Sequence, residues 1–149
     1  MDKEKQDAML ERLKRKMQSH PELKYWYWLR DAVCGRHYSD AITLLKEHPY
    51  LINTRNPIGE TVLHFLAVEN DLEGVAWLHE RGFDLNTKTN FGDPVIFDVA
   101  GLRYKDLLLW FKTNGADFQV KNKSGQNLTE YLKYRNETEM VDYVEQILT

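Results

Sequence analysis

The sequence predicts an all-α fold made of helical hairpins repeated along the chain, and three observations carry that prediction. The first is a fixed period. Gly59, Gly92 and Gly125 are spaced 33 residues apart, as are Gly82 and Gly115, Asp84 and Asp117, Ala67 and Ala100, and Trp77 and Trp110; self-similarity at such a period marks a repeat architecture. The second is apolar spacing within one period. Val62, Leu63, Leu66 and Ala67 follow a helical pattern that breaks at Glu69-Asn70-Asp71 and resumes at Leu72, Val75 and Leu78, which reads as two short helices joined by a tight turn. The third is composition. A chain of 149 residues, 42% apolar and 29% charged, suffices for one domain with its own core. Its single cysteine, Cys34, rules out an internal disulfide framework or a zinc site built on several thiolates.

Taken in order, residues 1–22 are expected to supply a capping helix, with Met9, Leu10, Leu13 and Met17 on one stripe covering the first repeat unit. Residues 23–149 then divide into about four units, near 23–55, 56–88, 89–121 and 122–149. Extending the register backward sets Asn53 under Asn86, and Ile42, Leu44 and Leu45 under Val75, Trp77 and Leu78; extending it forward reaches Val141, Tyr143 and Val144. Thr61 and Asn127 suit the N-cap of their first helices, and Asp93-Pro94 offers a cap followed by proline at the first helical position. Asn70 and Asn136 fall in a turn that requires a left-handed residue, with His37 and Arg103 in the equivalent places, and Gly82 and Gly115 end the second helices. Two columns of equivalent side chains are expected to form the core: Leu44, Trp77, Trp110 and Tyr143, and Ile42, Val75, Leu108 and Val141.

The residues Gly59-Glu60-Thr61-Val62-Leu63-His64-Phe65-Leu66-Ala67 resemble the ankyrin signature G-x-T-P-L-H-x-A-A, and Gly82-Phe83-Asp84-Leu85-Asn86 and Gly115-Ala116-Asp117-Phe118-Gln119 resemble its G-A-D-x-N ending. The second and third units match best. Val62 stands where the family has proline, Phe97 and Glu130 stand in the histidine column, and the first unit lacks Gly-x-Thr. The resemblance implies an ankyrin-repeat solenoid of about four helix-turn-helix units. It further implies that His64 ties together the backbones of adjacent fingers, and that the protein binds another protein through its finger tips and concave face rather than catalysing a reaction.

A search for chemistry agrees with that implication. His20, His37, His48, His64 and His79 have five different local contexts and no H-x-x-x-H or C-x-x-C partner, and no glycine-rich phosphate loop occurs. Glu130, Glu137, Glu139, Asp142 and Glu145 read as a solvated face, and Cys34 as a buried, inert thiol. Asn122, Asn127 and Asn136 begin glycosylation patterns that carry no weight without a secretory signal. No cofactor and no metal are expected. The first twenty residues alternate charges where a signal peptide would be apolar, and no apolar run approaches the roughly 18 residues of a bilayer span, so the expectation is a cytoplasmic monomer without membrane attachment. A net charge of −3 gives no general attraction to nucleic acid. The competing readings are nucleic-acid binding at Arg12-Leu13-Lys14-Arg15-Lys16 beside Tyr25-Trp26-Tyr27-Trp28, or an enzyme hidden in the same region, where the repeat pattern is weakest.

The tips carry a basic row, Arg55, Lys88 and Lys121, beside Ile58, Phe91 and Ser124, with Asn90 and Lys123 adjoining. Tyr25 joins the Ile58 and Phe91 column if the first unit keeps register. The next column holds Tyr27, Glu60, Asp93 and Gln126. An apolar line flanked by charge suits a protein-binding strip; local ion pairs of Arg55 with Glu60 and Lys88 with Asp93, each worth about 0–1 kcal/mol, are the plainer alternative for the charges.

Overall fold

The computed structural model describes residues 2–19 and 22–149, the side chains of residues 10, 13–19 and 22 excepted. The described residues form helices joined by turns, with no strand and one isolated bridge between Lys88 and Pro94. Helix α1 spans Lys3–Ser19 and precedes four consecutive helical pairs. These are α2 (Glu22–Cys34) with α3 (Tyr38–Glu47), α4 (Val62–Val68) with α5 (Leu72–Glu80), α6 (Val95–Gly101) with α7 (Lys105–Thr113), and α8 (Leu128–Tyr134) with α9 (Thr138–Leu148). A 3-10 turn, Pro49–Ile52, follows α3. Within each pair the two helices pack together, and the first helices then pack in sequence, α2 on α4, α4 on α6 and α6 on α8. Of the stripe expected on α1, Met9 is exposed, while the side chains of Leu10, Leu13 and Met17 lie outside the described residues, as does His20.

Local chemistry explains where the helices begin and turn. The Thr61 side chain accepts from the His64 backbone N–H, and Asn127 forms a capping box with Glu130. Asp93 does not cap α6: Pro94 occupies the cap position equivalent to Thr61, and the Asp93 backbone N–H is held by Thr89 Oγ1. Asn70, Arg103 and Asn136 turn the chain at φ of 58°, 63° and 59°. In each case the next backbone N–H closes on a first-helix carbonyl: Asp71 on Leu66, Tyr104 on Val99, and Glu137 on Leu132.

The first pair departs from the expected register by one residue. Its left-handed residue is Arg36, at φ 63°, rather than His37, and the His37 N–H closes on Ala32. Through this pair the equivalence is 34 residues, Leu51 matching Leu85, and it returns to 33 at Asn56 and Thr89, so the first linker holds one extra residue. The slip accounts for two corrections. Ile42 is exposed because Ala41, fully buried, takes the place of Val75, Leu108 and Val141. Cys34 is exposed rather than buried because Val33 takes the place of Ala67 and Ala100.

The tryptophan column also lies elsewhere than expected. Trp77, Trp110 and Tyr143 are half-buried on the flank, with Trp77 stacked on Tyr38 at 5.1 Å and its ring 3.7 Å from the Arg81 guanidinium, while Leu44, also half-buried, aligns with Leu78 through the same slip. The fully buried column beside them is Leu78, Phe111 and Val144, one residue further along each second helix. Phe111→Ala is therefore expected to cost about 3–5 kcal/mol, and Trp77→Ala less, about 1–2 kcal/mol, because Trp77 packs against the edge of the core and is only partly buried. Urea midpoints of the two variants measure the difference, and equal losses would return the tryptophans to the core.

Candidate binding groove

Between successive pairs the chain makes a tight tip. The Asn56 N–H bonds to Glu60 O, Thr89 to Asp93 O, and Asn122 to Gln126 O, while Gly59, Gly92 and Gly125 close the turns inside these bonds. At two of the tips glycine is required by more than its backbone angle, φ 92° and 75°. A Cβ on Gly59 would overlap the Asn90 backbone nitrogen, and one on Gly92 would come within 2.8 Å of Lys123 Cβ. The first of these approaches is held by Asn90, whose N–H donates to Ile58 O at 3.0 Å and whose Nδ2 donates to Pro57 O at 3.3 Å.

The basic row serves the same closure. Arg55 Nη1 donates to Gly59 O at 2.7 Å and to Lys88 O at 2.6 Å, and Lys88 Nζ donates to Lys121 O at 3.1 Å. These side chains bridge one tip to the next, and neither expected pair, Arg55 with Glu60 or Lys88 with Asp93, forms among the described residues. Their three-dimensional neighbours are backbone carbonyls left over by the tight turns, which sequence spacing does not reveal. Lys121 and Lys123 are exposed at the last tip.

The remaining expected site residues divide sharply. Ile58 and Phe91 project outward, 46% and 62% exposed, because the side chains of Asn56 and Thr89 fold back on the turns beneath them. Glu60, expected on the surface, is buried, its carboxylate accepting from Asn56 Nδ2 at 2.9 Å. Tyr25 does not reach the tip column: it lies within α2 and stacks on the His48 ring at 3.8 Å. Tyr27, on the same helix, is half-buried against Trp26, with the Arg30 guanidinium 4.9 Å from its ring. Of the four aromatics in that run, Trp26 is fully buried and Trp28 is exposed, with Lys24 Nζ 4.7 Å from its ring.

Ile58 and Phe91 form the lips of a groove of about 370 Å³ that runs back along the first helices. Asp93 and Asp98 lie in its wall, Tyr131 and Arg135 close its far side, and Leu102 is exposed at its edge. Asp98 is held by the fully buried His64, whose Nε2 donates to Oδ2 at 2.7 Å. His64 thus ties α4 to α6 through a carboxylate, where the resemblance implied a tie between finger backbones. Tyr131 packs on Phe97 at 5.1 Å, and the Arg135 guanidinium stands 5.5 Å from its ring; burial pushes its hydroxyl pKa up. The columns of Phe65, Asp98 and Tyr131, and of Glu69, Leu102 and Arg135, carry the residues that sequence reasoning passed over, although the same 33-residue register sets each of them side by side.

A larger groove of about 590 Å³ lies between α2 and α3, beside Trp28, Ala32, Thr43 and Leu44. Among the described residues no three His, Cys, Asp or Glu side chains converge as metal ligands, and no helix is long and apolar enough to cross a membrane. No family model matches the chain, and no curated protein matches it in sequence.

Burial, reinforced by the charge on Asp98 and opposed by His64, pushes the Asp93 carboxyl pKa above its ordinary value. A raised folded-state pKa favours the protonated acid on folding, so ionised Asp93 weakens the fold at neutral pH, and the penalty disappears below the unfolded carboxylate's pKa. Asp93→Asn is accordingly expected to raise the melting temperature at about pH 7 and to give no gain at about pH 3. Paired thermal melts at the two pH values check the sign.

Proposed function

We propose that this chain is an ankyrin-repeat solenoid of about four units acting as a non-enzymatic, cytoplasmic protein-binding module. The recurrence of the signature at 33-residue spacing, the repeated cap, left-handed turn and tip, and the packing of successive helical pairs all support that reading. The observation that carries the binding role is the groove of about 370 Å³ with Ile58 and Phe91, one period apart, exposed at its mouth. Apolar side chains held outward by a hydrogen-bonded turn are costly to leave in water and are ordered before a partner arrives, which lowers the entropy lost on association. A partner covering the tips and the adjoining helix face would bury a standard interface of about 800 Å² on each side.

Affinity capture with the wild-type chain and with an Ile58→Ala, Phe91→Ala double variant tests this. Proteins retained by the first and lost by the second are the expected outcome. Equal retention by both would remove the tips from the binding role, and salt-dependent retention of the chain on a single-stranded polynucleotide would favour the basic N-terminal helix and Trp28 instead.

A further inference from the structure

The groove has more negative charge than its own cations balance. Among the described residues Glu60, Asp93 and Asp98 line it against one guanidinium, Arg135, which stands at the Tyr131 ring on the far side. Glu60 is engaged by Asn56, and one oxygen of Asp98 by His64. The Asp93 carboxylate accepts no hydrogen bond from any described residue. Beside the exposed Arg135, the exposed side chains around these acids are apolar: Ile58, Phe91 and Leu102.

We propose that the groove receives a lysine or arginine side chain from a protein partner, its charge meeting Asp93 and the free oxygen of Asp98 and its aliphatic stem lying along Ile58, Phe91 and Leu102. This rests on the docking reading above and adds the chemistry of the occupant. A long basic side chain fits both halves of the site, since its methylene stem covers apolar surface while its head carries the charge. Charge-assisted hydrogen bonds to a half-buried carboxylate are stronger than neutral ones, and here they would also relieve the repulsion between two neighbouring acids. A phosphate-bearing partner meets the wrong sign of charge. A bare metal ion finds no third ligand, since no set of three donors converges among the described residues.

The test is selection of peptides from a displayed random library on the full chain, followed by affinity measurement of the enriched peptides on the wild type and on Asp93→Asn, Phe91→Ala and Ile58→Ala, each first checked for folding by circular dichroism and thermal melting. Enriched peptides carrying Lys or Arg beside apolar residues are expected, with affinity falling about tenfold, or 1.4 kcal/mol, on Asp93→Asn and weakening as salt rises. Replacement of the basic residue by glutamine in the peptide is expected to cost as much as Asp93→Asn, and much less when both changes are combined than their sum. Peptides that depend on Phe91 and Ile58 yet lack a basic residue and ignore Asp93→Asn would overturn the proposal while leaving the docking reading intact. Peptides indifferent to all three variants, or no enrichment at all, would overturn both.

Discussion

A single helical pair of this size cannot surround its own apolar side chains, and most of the molecule's features answer that shortage. The first helices α4 and α6 are seven residues each, about two turns, yet five residues on each are buried. Such helices are too short to persist alone, so they exist because a neighbouring pair covers each side. The last pair shows the same constraint in reverse. Where the inner pairs have Leu63 and Ile96 and then Ala67 and Ala100, α8 has Thr129 and an exposed Lys133, positions that no other described pair covers. At the other end Trp28, aligned with the buried Val62, Val95 and Leu128, is half exposed.

Mutual coverage requires neighbouring pairs to be held at a fixed spacing, and polar groups on both edges do this. On the turn edge two arginines occupy left-handed backbone that costs an L-residue about 1–2 kcal/mol. Each then spans to an acid at the next turn: Arg36 to Asp71 at 2.6 Å, and Arg103 to Glu137 at 2.8 Å. Tyr38 reaches Glu73 at 2.9 Å, and Lys105 pairs with Glu139. The bond from Arg103 holds the Glu137 carboxyl below the usual carboxylate range. These are solvent-screened pairs, and their worth lies in fixing distance more than in stability. On the tip edge Arg55, Lys88 and Asn90 do the corresponding work through backbone carbonyls.

Much of this was legible in sequence, and the failures have a common physical origin. Caps and turns are short-range, so Thr61, Asn127, Asn70, Arg103 and Asn136 could be assigned from their neighbours along the chain, and the outward tips Ile58 and Phe91 came from the glycine register. Long-range matters did not. The extra residue between Leu51 and Asn56 carries no glycine or proline to announce it, and it displaced Ile42, Cys34, His37 and Tyr25 together. Glu60 reads as a surface acid until the Asn56 side chain is known to fold over it. Arg55 and Lys88 read as ion-pair partners of nearby acids because carbonyls stranded by a turn have no sequence signature. Asp98 and Tyr131 were within reach, being a period apart, but each reads alone as an ordinary helix residue.

The groove inherits its dimensions from these constraints. Ile58 and Phe91 stand one period apart only because Gly59 lets the Asn90 backbone approach and bond to Ile58 O, so any side chain at position 59 would part the lips without touching either. The acids within are set by the same register, Asp98 projecting from α6 toward the His64 of α4. The fully buried His64 ring makes its one hydrogen bond to that carboxylate, its Nδ1 having no partner among the described residues. Removing the Asp98 charge would therefore unsettle the packing of α4 on α6, whereas the Asp93 carboxylate has no hydrogen bond from a described residue to lose. The two acids thus differ in kind. One is fixed by the architecture through His64, and the other is a part-buried carboxylate that accepts no hydrogen bond from any described residue and that burial and the neighbouring Asp98 charge push toward its protonated form.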